Sequence, residues 1–391
     1  MRVLLVTGAY FPEISSGGLQ SRAVAALLRD RVHFQVLTTS TDPRLPSHGV
    51  VDGLRVTRVG INVKNRFSVG FATVRMVAEL LRIVPHVDII HVQGYSSKNI
   101  VIMALARLLS RKVILHLQTA RHDEPESVFA QGWLAAWAYS SADLYLSVSS
   151  GLAQQFLGAG LPESRLRLAP NGVDHQRFCP ADARQKAELR ERLGLPPHLP
   201  IILFVGVFSH DKQPHVLFEA WRRIQASKDP RLASVLVLVG STSPRQFEAE
   251  PLLAERIRLE ASQAGLQDRL VVVPPTNHVE AFFRAADVYA MPSLREGLPI
   301  ALLEAMSCGL PCIASHLPGA TDDVVDHGCD GLLVPVGNVD AWVASLTSLL
   351  MDVDTARRMG AAARLKVEAR FTFAHVSTRW LAAYQDVGPA R

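Results

Sequence analysis

Short runs of apolar, largely β-branched residues recur along this 391-residue chain, separated by longer stretches whose apolar positions fall three and four apart. In the first half the runs Val3–Thr7, His33–Thr39, Leu54–Val59, Asp88–Val92, Lys112–Leu117, Leu144–Ser149 and Arg165–Leu168 predict strands. Leu19–Leu28, Val69–Ile83 and Asn99–Leu109 predict helices between them. That alternation is the pattern of parallel sheets covered by helices on both faces. After Pro170-Asn171-Gly172-Val173-Asp174 a polar, proline-containing stretch runs to Pro200 and marks a domain boundary. A second strand series follows: Ile201–Val205, Ser234–Val239, Leu270–Val273, Val288–Met291, Cys312–Ala314 and Leu332–Val334. The prediction is an α/β fold of two doubly wound domains, residues 1–173 and 174–370, and a C-terminal helical segment, 371–391. Trp380 and Tyr384 in that last segment suit a core, or packing back on the first domain, and the two readings are compatible. Ligands of such folds sit outside the carboxyl ends of the strands, so two facing domains are expected to form a cleft that closes about hinges near Val173 and residue 370.

Composition narrows the class. With 48% hydrophobic residues the chain can bury two cores, yet no apolar run approaches the roughly 20 residues of a membrane-spanning helix. The opening Met1–Thr7 reads as a first strand rather than a leader, because its apolar core is short and no cleavage site follows. Cys179, Cys308, Cys312 and Cys329 are too few and irregular for a disulfide framework and fit a reducing cytoplasm. Cys308 and Cys312 read as small buried thiols, since nothing near them has zinc-like spacing; no metal and no cofactor is expected. The net charge of +5 is uneven: residues 1–173 carry 18 Lys and Arg against 11 Asp and Glu, and 174–391 carry 23 against 25. Between Gly53 and Arg82 stand Arg55, Arg58, Lys64, Arg66, Arg75 and Arg82 against Glu79 alone, beside Phe67, Val69, Phe71, Val74, Met76 and Val77. The stretch suits an anionic membrane surface or a phosphorylated acceptor, and equally a solvated face on a core-packed helix. No motif supports nucleic-acid binding.

The chemistry-bearing segments follow strands. Pro292-Ser293-Leu294-Arg295-Glu296-Gly297-Leu298-Pro299-Ile300 leaves a strand, turns at glycine and opens a helix with proline in its first turn. Unpaired amides at a helix start attract anions, so a diphosphate is expected at Gly297, Leu298, Pro299 and Ile300, with Glu296 beside the group it carries. Glu304 lies further along that helix, where its carboxylate can accept two hydroxyl hydrogen bonds, as sugar or ribose offers. Alone, the pair is equally a turn residue and a solvated helix position. Ile201–Val205, a turn at Gly206, and Lys212 at a helix start bring an ammonium suited to a departing diphosphate, although a lone lysine there is ordinarily surface decoration. The loop Tyr10–Gly18 lets backbone approach a ligand at Gly17 and Gly18, or is a plain flexible turn. Thr276, in Val273–Asn277, is expected to border a nucleotide base.

Together these residues resemble the large GT-B family of retaining, group 1 (family 4) glycosyltransferases that includes sucrose synthases and bacterial mannosyltransferases. The likeness covers nearly the whole chain: Glu296 to Glu304 match the E-x7-E motif, Asn171-Gly172-Val173-Asp174 the junction between domains, and Gly17-Gly18 the first loop. It implies two Rossmann-like domains facing across a cleft, the first for the acceptor and the second for a nucleotide-diphosphate-sugar. It also implies that Glu296 touches the donor sugar, Glu304 holds the ribose and Lys212 binds the diphosphate. Two departures stand out. Gly206-Val207 replaces the usual Gly-Arg, leaving Arg295 or His210 as substitutes for the lost cation, and Gln118 stands where the family often has a histidine beside the acceptor, with His116 pointing elsewhere.

The resemblance further implies attack on the same face that the diphosphate leaves, its oxygen taking the acceptor proton, with no protein nucleophile and no metal. Asp352-Val353-Asp354 reads as a solvated turn. The expected activity is sugar transfer to a glycan or glycolipid, in the cytoplasm or on the cytoplasmic face of the membrane. The alternatives are an epimerase or hydrolase on the same scaffold and a non-catalytic, partner-dependent nucleotide-sugar binder. A dehydrogenase is disfavoured, since the first βα turn lacks Gly-x-Gly-x-x-Gly.

Overall fold

The computed structural model describes residues 1–13, 15–62, 65–242 and 249–388. They form two compact units, Met1–Gly172 with Phe373–Arg391, and Val173–Thr372. The first unit holds β1 (Arg2–Thr7), α1 (Ser16–Leu28), β2 (His33–Ser40), β3 (His48–Val51), β4 (Leu54–Gly60), α2 (Arg66–Ile83) and β5 (Ile89–Gln93). It continues through α3 (Lys98–Leu108), β6 (Lys112–Leu117), α4 (Pro125–Phe129), α5 (Trp133–Ser140), β7 (Leu144–Ser147), α6 (Ser150–Gly158) and β8 (Leu166–Leu168). Its strands lie in the order β3-β4-β2-β1-β5-β6-β7-β8, parallel except for β3 on β4. Val3 to Val6 are fully buried, as a central strand covered on both faces requires. The edge strand β3 is absent from the predicted series. His48 and Val50 are exposed and Gly49 and Val51 half-buried, so the strand lacks a long apolar run, and its signal is the turn Asp52-Gly53, whose positive φ of 51° and 82° are those of a two-residue hairpin.

The second unit holds α7 (Ala183–Arg192), β9 (Ile201–Val205), α8 (Pro214–Ala226), β10 (Val235–Val239), α9 (Pro251–Gln263), β11 (Leu270–Val273) and α10 (Val279–Ala285). Then come β12 (Val288–Met291), α11 (Ile300–Ser307), β13 (Cys312–Ser315), β14 (Leu332–Val334), α12 (Val339–Met351) and α13 (Val353–Arg370). The sheet order is β11-β10-β9-β12-β13-β14, all parallel. The polar stretch before Pro200 contains α7, which apolar periodicity does not reveal because six of its ten residues are charged and Leu189 is its one large apolar side chain. A capping box between Asp182 and Gln185 starts it, and Lys186 and Arg190 tie it to Asp287 at 2.6 and 2.5 Å. Asp287 also accepts from Ile201 N at 2.7 Å, so one carboxylate joins a helix to the strand base. Asp352, read as a turn, caps α13 by accepting from Thr355 N at 2.9 Å.

The last helix, α14 (Phe373–Val387), belongs to the first unit, where Val376, Trp380, Ala383 and Tyr384 are buried with Val3, Leu5, Val24 and Ala25. A Cβ on Gly172 would stand 2.8 Å from both Phe373 and Val376. The basic stretch is less of a surface than its sequence suggests. Alternation along β4 turns Arg58 inward, where it is buried and donates to Phe11 O at 2.8 Å; Arg75 is half-buried and donates to Ser47 Oγ. Lys64 and the side chain of Arg66 lie outside the described residues. Met76 is buried in α2, whereas Phe67, Phe71 and Val74 are 88%, 66% and 66% exposed. Among the described residues no helix is long and apolar enough to cross a membrane.

Candidate functional site

In the second unit β9 and β12 are parallel neighbours, which brings the turns after them to one edge of the sheet. There Leu294 N donates to Asp211 O at 2.7 Å, and Arg295 grips the Asp211 carboxylate through Nε at 2.8 Å and Nη2 at 2.6 Å. Arg295 is thus committed to a carboxylate. His210 donates its backbone N–H to Glu250 at 2.6 Å and its side chain is exposed. Between these anchors Lys212 Nζ donates to Glu296 Oε1 at 2.6 Å, the side chains being 26% and 12% exposed. Two of the residues singled out in the sequence are therefore in direct contact, as a partly desolvated ion pair.

Gly297, Leu298 and Pro299 are buried and Ile300 is half-buried. Pro299 is the N-cap of α11 rather than part of its first turn, and no side-chain bond caps the helix. The side chain of Glu304, within α11, is half-buried and makes no hydrogen bond or ion pair with the described residues, and its desolvation pushes the carboxyl up to about 8, Arg177 opposing and Glu280 adding. Arg177 donates to Glu280 Oε2 at 2.6 Å and to Asn277 O at 2.7 Å, which places the turn after β11 beside the same carboxyl. Thr276 Oγ1, in that turn, accepts from His278 N at 3.1 Å. Neither Arg177 nor Glu280 carries a spacing signal in the sequence; only the sheet order brings them there. Gly206 N donates to Val239 O at 3.0 Å, and a Cβ on Gly240 would stand 1.7 Å from Gly206 O, so these turns pass backbone against backbone. Cys308 and Cys312 are buried, and burial raises both thiols above their ordinary range.

In the first unit Gly17 and Gly18 occupy the first turn of α1, not the loop before it, because Ser15 caps the helix by accepting from Gly18 N at 3.1 Å. A Cβ on Gly18 would lie 2.4 Å from Ala9 O, so that turn packs directly on the chain leaving β1. Ile14 lies outside the described residues. Gln118, just beyond β6, meets this turn: a Cβ on Gly17 would be 3.1 Å from Gln118 Oε1. His116 is buried beneath, its Nε2 3.2 Å from Ala169 O, and burial lowers it to about 4. A residue that sequence reasoning missed organises this edge. The buried Asp123 accepts from Tyr95 N and Gln118 N at 2.8 Å and from Thr119 N at 2.9 Å, fixing the loops after β5 and β6 together. In the sequence it is one more acid in a loop. The two groups, Lys212, Glu296 and Glu304 in one unit and Gly17 with Gln118 in the other, are each built at the carboxyl ends of parallel strands.

Residues 185–366 match the family described as glycosyl transferases group 1, and residues 18–172 match the glycosyl transferase 4-like domain. A protein of Xylanimonas cellulosilytica named D-inositol 3-phosphate glycosyltransferase is 33% identical over 237 residues, which are 59% of this chain and 54% of that protein. A protein of the same name from Streptomyces bingchenggensis is 37% identical over 196 residues, 49% of this chain and 41% of that protein. The chain spans about half the length of the curated relatives it matches. Among solved structures, Anabaena HepE in complex with UDP superposes with a TM-score of 0.78 at 17% identity, covering 99% of this chain and 100% of that one. Sucrose-phosphate synthase from Thermosynechococcus elongatus gives 0.79 at 23% identity, covering 99% and 98%. Two parallel-sheet units with this likeness, and two family matches that together take in most of the residues, place the chain in the group 1 glycosyltransferases, with the GT-B fold.

Proposed function

We propose that the protein is a retaining glycosyltransferase that moves a sugar from a nucleotide-diphosphate-sugar to a glycan or glycolipid acceptor without a metal ion. The observation that carries this reading is Glu304, a half-buried carboxyl whose side chain has no hydrogen bond to the described residues, on the helix that begins just after the Lys212–Glu296 pair. Its two oxygens can each accept a hydrogen bond, and ribose hydroxyls would supply the donors that the described residues do not. On this reading the diphosphate takes Lys212 from Glu296, which frees Glu296 for the donor sugar. Lys212 and the open amides at the start of α11 then hold the charge that grows on the leaving group. That oxygen accepts the proton of the attacking hydroxyl, and the protein's share is positioning and charge stabilisation. Thr276 borders the base, while Gly17, Gly18 and Gln118 offer the acceptor contacts. Because HepE was solved with UDP, a uridine nucleotide is the first donor to try, and the relatives' name makes D-inositol 3-phosphate the first acceptor.

The exposed Phe67, Phe71 and Val74 lie on one side of α2 and favour a peripheral contact with an anionic membrane, on the cytoplasmic side, where a glycolipid would be met. The donor assignment is tested by the thermal stability of wild type and Glu304→Ala with UDP, GDP, ADP and their sugars in EDTA. A ligand at ~100 times its dissociation constant stabilises by roughly 2.7 kcal/mol. The expected result is a shift with one nucleotide series that the substitution abolishes. A shift that survives Glu304→Ala, or one that needs a divalent ion, overturns the corresponding part.

A further inference from the structure

Alternate residues of β5, His91 and Gln93, share one side of the strand, and a row of polar side chains runs through them. His91 is fully buried, edge-on to the Trp380 ring at 4.4 Å and stacked on His116 at 5.4 Å. Its Nδ1 lies 2.8 Å from the Tyr384 hydroxyl and its Nε2 lies 3.2 Å from Gln93 Nε2. Gln93 Oε1 accepts from Gln118 Nε2. Burial, with His116 alongside, holds His91 well below its ordinary range, so the imidazole is neutral and carries one N–H. Gln93 presents an amide N–H to Nε2, so Nε2 accepts and the ring proton sits on Nδ1, donated to the Tyr384 oxygen. Each bond sets the next. Reversing one amide alone would face two N–H groups, or two lone pairs, at hydrogen-bond distance within a half-buried row. At the outer end Gln118 Nε2 is used and Oε1 faces Gly17, with no hydrogen bond to the described residues.

We infer that Tyr384, on the last helix, is a positioning residue that acts through His91 and Gln93 to hold the carbonyl end of Gln118 toward Gly17, where it selects a substrate group that donates a hydrogen bond. The inference rests on the reading of Gln118 as an acceptor contact. It makes the last helix part of the acceptor site without touching the acceptor. A sugar, inositol or other polyol hydroxyl fits the carbonyl; a group that can only accept, such as a fully ionised phosphate oxygen, does not.

The test is nitrogen-15 NMR of the full-length chain labelled at histidine. His91 is expected as the Nδ1–H tautomer in wild type, and Tyr384→Phe, which removes the acceptor of that proton, is expected to convert it to Nε2–H and so reverse the row. An Nε2–H tautomer in wild type, or no change in Tyr384→Phe, overturns the inference, and neither reading depends on a substrate. Transfer from UDP-glucose to D-inositol 3-phosphate gives the second readout. Tyr384→Phe and Gln118→Ala should each raise the acceptor KM up to about tenfold with kcat and UDP binding held, and the double variant should be no worse than Gln118→Ala. Additive losses, or an equal rise in the donor KM, would assign Tyr384 a merely structural role. If UDP gives no thermal shift while the tautomer is as stated, the donor reading fails and the row stands.

Discussion

Glu304 gives the sharpest physical prediction, because its titration should be visible in stability before any substrate is known. In the folded chain its carboxyl titrates at about 8 against an ordinary 4.5, through burial. A carboxyl raised on folding makes the native state bind more protons than the unfolded chain, so stability falls as pH rises above the unfolded value and levels off beyond the folded one. At 1.36 kcal/mol per pH unit, and allowing for the part of the window in which both states are partly ionised, the loss between about pH 5.5 and about pH 8.5 is ~3 kcal/mol. The perturbation is Glu304→Gln, which keeps shape and hydrogen-bonding capacity and removes the charge. Melting of both proteins, without nucleotide, should show the variant gaining on wild type as pH rises, by about 6–12 °C across that range for a unit of this size. A gap independent of pH would mean that the Glu304 site is wet and the carboxyl ordinary. Ribose binding would then lose its main support.

Asp287 should be worth more than a surface acid, since it holds Lys186, Arg190 and Ile201 N at once. Asp287→Ala is expected to cost about 2–3 kcal/mol in urea unfolding of the second unit, less than a fully buried pair because the side chain is 33% exposed; a loss under about 0.5 kcal/mol would refute the anchor. The membrane contact predicts co-sedimentation with anionic vesicles, weakened by Phe67→Ser with Phe71→Ser and by high salt. Equal recovery with and without vesicles would remove it.

Much of the fold is written in one-dimensional pattern. Runs such as Val235–Val239 are buried on both faces, so their hydrophobicity is continuous and local, and β9, β11, β12 and β14 have the bounds the pattern predicts. Glu296 and Glu304 could be singled out for a similar reason: their spacing lies on a single turn and helix. What the pattern left out is of two kinds. The edge strand β3 and the charged helix α7 bury little apolar surface, so their signals are a two-residue turn and a capping box. The contacts of Asp123 with Tyr95, of Arg177 with Glu280 and of His91 with Tyr384 join residues tens to hundreds of positions apart, and only the tertiary fold decides which of them meet.

The sequence by itself therefore determined the class of fold and all but one strand of its two series, and brought Lys212, Glu296 and Glu304 forward as candidates, because periodicity and short motifs are local properties of the chain. Tertiary structure decided that Lys212 is held by Glu296, that Arg295 is spent on Asp211, that Arg58 turns inward and that Glu304 is left without a partner. Those outcomes depend on which charges share a desolvated edge of the sheet, and the energy of a charge is set by its surroundings in space rather than by its neighbours along the chain.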